Sequence, residues 1–79
     1  MRIDKFLKIS RVIKRRTVAS EACSNGRVSI NGKVAKASSE VKVGDIVEIV
    51  FGDKTLKFEI LKIAQTVKAE EVESLIKII

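Results

Sequence analysis

The apolar residues of this chain change their spacing at Asn25-Gly26, and this change restricts the possible folds more than any other feature. Before it, Ile3, Phe6 and Leu7 follow the i, i+3, i+4 spacing of one helix face. After it, apolar and polar residues alternate, which is the period of a strand with one buried face. Helical spacing followed by strand spacing predicts an α+β domain.

Two short helices are predicted before this point. The first covers residues 2–10, where Asp4 and Lys8 have the i, i+4 spacing of a helical ion pair. The second begins near Thr17, a favourable N-cap residue, and ends at Asn25-Gly26, which tolerate left-handed backbone. Its predicted inner face consists of Val18, Ala19, Ala22 and Cys23.

The second half is predicted to be mainly strands. Asn31-Gly32 lies between two alternating runs and predicts a hairpin, because both central residues of a type I′ turn need positive φ. Residues 35–40 are predicted to form a polar loop. Further strands are expected at residues 46–51 and, beyond a turn at Gly52-Asp53, along the alternating residues Leu56, Phe58 and Ile60.

A helical pattern returns at the end of the chain. Val72, Leu75, Ile76 and Ile79 have the i, i+3, i+4, i+7 spacing, which predicts a C-terminal amphipathic helix that packs into the core. The expected architecture is one domain over residues 1–79, with a core motif in 1–50 and an extra strand and helix in 51–79. Two short N-terminal helices should pack on a small, strongly twisted antiparallel sheet of four or five strands.

The composition excludes most catalytic chemistry. The chain of 79 residues has no histidine and one cysteine, Cys23, so it cannot supply a Ser-His-Asp triad, a Cys-His dyad or a His/Cys metal cage. We therefore expect no enzymatic activity, cofactor or metal. The lone thiol is expected to be buried and favours a reducing, cytoplasmic location. No apolar run approaches the roughly 20 residues that span a bilayer.

The charge distribution indicates a polyanionic partner. The net charge is +6, but residues 1–42 carry eleven basic and three acidic side chains (net +8), whereas residues 43–79 carry five and seven (net −2). Within the first sixteen residues seven are basic and Asp4 alone is acidic. A cluster of this kind repels itself unless it binds anions, so the partner is expected to be nucleic acid or an anionic membrane. A membrane is disfavoured because the apolar face of the basic helix is needed for the core.

The basic residues also have the chemistry of a phosphate site. Arg15 and Arg16 lie just before the second predicted helix, where free N–H groups attract anions, and guanidinium groups bind phosphate oxygens in pairs. The candidate RNA-binding residues are Arg2, Lys5, Arg11, Lys14, Arg15, Arg16 and Arg27. All three aromatic residues, Phe6, Phe51 and Phe58, match core positions. Recognition of structured RNA by shape and phosphate position is therefore expected, with little base reading.

The order of short motifs resembles a known RNA-binding module. RIDKFL, KRR, GRVSING and VGD are similar, in order and spacing, to the module named after ribosomal small-subunit protein four (the S4 type), over residues 1 to 50. Ile3 stands where that module usually has leucine. The whole chain resembles the fifteen-kilodalton heat-shock protein group, and within it the short RqcP-type members.

This resemblance implies a specific role. Such proteins are non-enzymatic and bind ribosomal RNA of the large subunit and peptidyl-tRNA, beside an RqcH-like alanine-tailing factor, in ribosome-associated quality control. It implies that Arg2 and Arg16 are the main RNA contacts, supported by the other candidates, in a monomer. Two alternatives stay open: a general large-subunit assembly or heat-shock recycling factor, and a targeting piece of an RNA-modifying enzyme.

Overall fold

Two helices precede a single antiparallel sheet. The computed structural model of the protein describes residues 1–65 and 67–79. Its elements are α1 (Ile3–Ile9), α2 (Arg16–Ser24), β1 (Val28–Ile30), β2 (Lys33–Val34), β3 (Ile46–Phe51), β4 (Lys54–Ile60), a 3-10 helix (Ala69–Ser74) and β5 (Ile76–Ile78). The strand order is β2-β1-β3-β4-β5. The predicted α+β class, the two N-terminal helices and the antiparallel sheet are confirmed.

The core lies between the helices and one face of the sheet. Its largest fully buried side chains come from α1, β1, β3, β4 and the C-terminal segment: Ile3, Phe6, Leu7, Val28, Val47, Ile49, Phe58, Ile60 and Leu75. The rings of Phe6 and Phe58 stack with their centroids 6.4 Å apart, which joins α1 to β4. Because Ile3, Phe6 and Leu7 are completely buried, α1 has one fixed orientation, and its lysines remain on the outer side.

The hairpin forms where Asn31-Gly32 predicted it, with φ of 51° and 84° at the two turn residues. Asn31 has a second role, because its side-chain amide donates to the buried Asp45 carboxylate over 3.0 Å and its oxygen accepts from the Ile46 N–H over 2.9 Å. Asp45 also accepts from the Lys42 N–H over 2.9 Å. The turn between β1 and β2 is therefore hydrogen-bonded to the start of β3.

The second helix differs from its prediction at the beginning and on one face. Its N-cap is Arg15, without a side-chain hydrogen bond, and Thr17 lies exposed in the first turn, so the predicted Thr17 cap is wrong. The preceding loop determines this start, because Ile13 is buried and its N–H donates to the Leu7 carbonyl over 3.1 Å. Val18, predicted to face inward, is 47% exposed, whereas Ala19 and Cys23 are buried as expected.

The predicted C-terminal helix is wrong. The 3-10 helix ends at Ser74, and Ile76–Ile78 continue as β5, paired with β4 through Phe58↔Ile78 and Ile60↔Ile76. β-Branched isoleucines favour an extended chain, and the free edge of β4 offers hydrogen bonds that a helix at this position would not satisfy. Leu75 is fully buried, but Ile78 is 59% exposed, so only part of the apolar terminus enters the core.

The third phenylalanine also differs from its prediction. Phe51 was expected in the core, but as the last residue of β3, before the turn to β4, it is 43% exposed. None of the helices in the described part of the chain has the length and hydropathy needed to span a membrane.

The Asp45 hydrogen bonds give a test of the hairpin. Asp45→Ala leaves the Asn31 amide and the Lys42 N–H without their acceptor, so we expect the free energy of unfolding to fall by about 1–3 kcal/mol. Urea denaturation followed by circular dichroism measures the change. The matched control is Asp53→Ala in the exposed turn between β3 and β4, which should change stability by less than about 0.5 kcal/mol. Equal effects of the two variants would contradict this account.

Candidate nucleic-acid interface

A buried carboxylate joins the two arginines that the sequence singles out. Asp4, in the first turn of α1, is 2% exposed, and its Oδ2 accepts from Arg2 Nη2 over 3.2 Å and from Arg16 Nε over 3.5 Å. Its Oδ1 accepts from the Lys5 backbone N–H over 2.8 Å. The predicted Asp4–Lys8 ion pair is wrong, because Asp4 faces the N-terminus of α2 while Lys8 lies on the exposed side of α1.

The two arginines remain available to a ligand. Their side chains are 48% and 46% exposed although both contact Asp4. The backbone of Arg2 is held by a bridge to Glu40, whose carboxylate accepts from the Met1 ammonium group over 2.6 Å. The Ile3 N–H also donates to the Ser39 carbonyl, so the chain on both sides of Arg2 is fixed. Arg2 and Arg16 are thus placed side by side before any ligand binds.

A cleft lined by cations lies beside this pair. It has a volume of about 430 Å³, and its lining residues are Lys5, Lys8, Ile9, Arg11, Arg16, Gln65 and Val67. The C-terminal segment forms its far wall, where the Gln65 side-chain oxygen accepts from Lys5 Nζ over 2.5 Å. Among these described lining residues four are basic and none is acidic. A concave surface with one sign of charge concentrates anions, and its size suits phosphate groups of a nucleic-acid strand.

A second depression extends the cleft. Lys8, Arg11 and Lys14 line a neighbouring space of about 320 Å³ that shares Lys8 and Arg11 with the first. Lys8 was not among the predicted site residues. The three-residue spacing of Lys5, Lys8 and Arg11 could have indicated it, since residues three apart lie on the same side of a helix.

The backbone of Arg11 is unusual. It follows the C-cap residue Ser10 with φ of 60°, and its N–H donates to the Lys8 carbonyl over 3.0 Å. This is the position after a helix where glycine is common, because other residues in left-handed backbone cost roughly 1–2 kcal/mol. An arginine here sacrifices stability and places a guanidinium group at the junction of the two depressions.

Two predicted residues, Arg15 and Arg27, lie outside the cleft, the second depression and the Asp4 contacts. Arg15 is the exposed N-cap of α2 and lines neither depression among the described residues. Arg27 lies next to β3, near Phe51. The structure therefore brings Lys5, Arg11 and Arg16 together in the cleft, adds Arg2 through Asp4 and Lys14 through the second depression, and separates Arg15 and Arg27 from them.

The single cysteine lies behind this surface. Burial raises the pKa of the Cys23 thiol above its ordinary value, and the charge of Asp4 raises it further. The thiol therefore stays protonated at neutral pH and is a poor nucleophile or metal ligand. In residues 1–65 and 67–79 no group of three or more His, Cys, Asp or Glu side chains is arranged to hold a metal ion.

Comparison with known proteins identifies the family. The S4 domain family matches residues 1–47. The RQC P-site tRNA stabilizing factor of Halalkalibacterium halodurans is 51% identical over 78 residues, which cover 99% of this chain and 89% of the relative. The factor of the same name from Bacillus subtilis is 49% identical over 79 residues, with 100% and 92% covered. The chain belongs to the S4-domain family of RQC P-site tRNA stabilizing factors.

Solved structures agree with this family assignment. The trimeric structure of Vibrio cholerae heat shock protein 15 superposes with a TM-score of 0.91 at 30% identity, covering 100% of this chain and 81% of that one. The solution structure of a hypothetical protein superposes with a TM-score of 0.84 at 38% identity, covering 99% and 95%. The resemblance to the S4 module and to the heat-shock protein group is confirmed.

Arg11 gives a test in which stability and binding change in opposite directions. Arg11→Gly removes the left-handed strain, so we expect a gain of about 1 kcal/mol in the free energy of unfolding together with weaker RNA binding. Arg11→Ala keeps the strain and should weaken binding equally without the gain. Thermal unfolding and fluorescence anisotropy with a labelled RNA stem-loop measure the two quantities. Tighter RNA binding by either variant would contradict the role of Arg11.

Proposed function

We propose that the chain is an RNA-binding factor that stabilises P-site peptidyl-tRNA on the large ribosomal subunit during ribosome-associated quality control. The observation that carries the proposal is the Asp4-linked pair Arg2 and Arg16 beside a cleft of four cations. Its family members, 44–51% identical over at least 90% of this chain in the most similar relatives, bear names that state tRNA stabilisation.

The side chains of this surface are suited to binding RNA rather than to catalysing a reaction on it. Guanidinium groups that are already positioned lose little conformational entropy when they bind phosphate, and their fork fits two phosphate oxygens. Phosphate contacts fix the register of a nucleic acid without reading its bases. Arg2, Arg16, Lys5, Arg11 and Lys14 would hold the ribosomal RNA or tRNA backbone, with Lys8 as an added contact. The protein would act in the cytoplasm, without catalysis.

The proposal includes partners that follow from the family alone. An RqcH-like factor would deliver alanyl-tRNA while this protein holds peptidyl-tRNA between additions. The chain would bind as a monomer, although the heat shock protein 15 neighbour is described as trimeric. Sedimentation equilibrium of the free protein and of its complex with RNA gives the oligomeric state, and a trimer would correct this part of the proposal.

The arginine pair provides the main test. For Arg2→Ala/Arg16→Ala we expect at least about 100-fold weaker binding to purified large subunits, since the two lost hydrogen bonds to charged groups contribute about 1.5–3 kcal/mol each. The slope of log K against log salt should also become shallower by about 1.4–1.8, because two phosphate contacts are lost. Lys33→Ala/Lys36→Ala removes the same charge from exposed residues that do not line the cleft, and its effect should be small. Equal losses in the two double variants would overturn the proposed site.

Substitution of Asp4 distinguishes two ways in which Arg2 and Arg16 could contribute to RNA binding, through their fixed positions or through their charge alone. Asp4→Asn makes the protein more basic, so attraction alone predicts tighter RNA binding, whereas loss of the Arg2 and Arg16 partner predicts binding that is several-fold weaker. Asp53→Asn, an exposed acid in the turn between β3 and β4, is the matched control and should leave binding unchanged or slightly tighter. Anisotropy titrations with one labelled RNA compare the three proteins. Tighter binding by Asp4→Asn would contradict the positioning role.

A second function is favoured by one observation, the close fold likeness to heat shock protein 15. A general assembly or recycling factor of the large subunit would use the same cleft. Gradient sedimentation distinguishes the two roles, because a stabiliser of peptidyl-tRNA should follow subunits that contain it. Equal occupancy of subunits from which tRNA has been stripped would favour assembly or recycling.

A further inference from the structure

Phe51 is exposed in a protein whose two other aromatic side chains are completely buried. Phe6 and Phe58 have 0% exposure, whereas Phe51 at the end of β3 has 43%. It is the last residue before the turn to β4, and its register partner is Lys54 at the start of that strand. Part of the Phe51 ring is therefore accessible to a ligand, whereas the other two rings are not.

The surroundings of Phe51 combine apolar side chains with one arginine and one acid. A recess at this position has a volume of about 120 Å³ and is lined by Ile13, Val18, Glu21, Ala22, Asn25, Arg27, Val50 and Phe51. Val18 and Val50 are 47% and 40% exposed, so the recess is an apolar floor open to solvent. The backbone of Arg27 is fixed, because its carbonyl accepts from the Val50 N–H over 2.9 Å.

The recess is too small for a protein partner of ordinary size but suits a flat ring. Stable protein–protein interfaces bury roughly 800 Å² on each partner, so a protein bound here would have to contact much of the surface around the recess as well. Every nucleobase has an aromatic face that stacks on phenylalanine, and an adjacent arginine binds the phosphate of the same nucleotide. Ile13 also connects the recess to the basic loop, since Lys14, Arg15 and Arg16 follow it directly in the sequence. The combination of a partly exposed aromatic ring and an arginine in one recess therefore favours a nucleotide.

We propose that Phe51 and Arg27 form a second RNA contact, in which one unpaired base stacks on the Phe51 ring while Arg27 binds its phosphate. This contact goes beyond the cleft, because it recognises an unpaired nucleotide where the cleft binds the backbone alone. It gives Arg27, which the structure separates from the other cations, a place in RNA binding. Stacking of this kind accepts any base and implies no sequence preference.

The test uses a short RNA duplex with one bulged adenosine, the same duplex with an abasic bulge, and the fully paired duplex. The wild-type protein should bind the bulged adenosine more tightly than the other two. Phe51→Ala should lose roughly 5- to 150-fold on the bulged adenosine and almost nothing on the fully paired duplex. Phe51→Tyr keeps an aromatic face and should keep the preference. Val43→Ala, which truncates an exposed valine outside the recess, should also keep it.

Arg16→Ala distinguishes the Phe51 contact from RNA binding in the proposed cleft. It should weaken binding to all three duplexes equally and keep the preference for the bulged adenosine. The stacking proposal is overturned if the wild-type protein shows no preference, if Phe51→Ala keeps it, or if Phe51→Ala weakens all three duplexes alike. Unchanged binding of every RNA by Phe51→Ala would leave the exposed apolar face to a protein partner. Circular dichroism monitors the folding of Phe51→Ala. Phe51→Leu, which keeps apolar volume but has no aromatic face, is the control for lost packing.

Discussion

The binding surface depends on one buried carboxylate. Asp4 is the acid among seven basic residues in the first sixteen, and it is buried in contact with Arg2 and Arg16. Its two oxygens accept hydrogen bonds from Arg2, Arg16 and the Lys5 N–H. The interaction therefore joins the start of α1 to the start of α2 and holds both guanidinium groups at one carboxylate. The carboxylate is buried, whereas the two arginine side chains stay about half exposed.

The hydrophobic core and this ion cluster support each other. Ile3, Phe6 and Leu7 fix the rotation of α1, which places Asp4 inward and Lys5 and Lys8 outward. The C-terminal segment then completes the cleft from the other side, because Leu75 is buried and β5 pairs with β4. The acidic half of the chain thus provides a wall for a cleft whose charges come from the basic half. Folding therefore fixes the positions of the charged side chains around the cleft before any ligand binds.

Local chemistry made much of the fold predictable, and tertiary contacts decided the rest. The turn at Asn31-Gly32 and the end of α2 depend on residues that accept positive φ. This preference is local, so the sequence alone predicts both features. The prediction of a C-terminal helix is wrong because this part of the chain pairs with the open edge of β4. The helical spacing of its apolar residues gives no sign of that edge. The sequence indicated the basic cluster, but the choice of Arg2 and Arg16 came from family resemblance. Their common partner Asp4 became visible only when α1 and α2 were packed together.

The central claim is that Asp4, Arg2 and Arg16 act as one unit in RNA binding. The most direct measurement is a double-mutant cycle on RNA affinity, with Asp4→Asn, Arg2→Ala/Arg16→Ala and the combined variant. If Asp4 acts through the two arginines, its substitution should weaken binding in the wild-type background and have almost no effect once both arginines are absent. Additive losses in the combined variant would show that Asp4 and the arginines contribute independently, and would contradict the account.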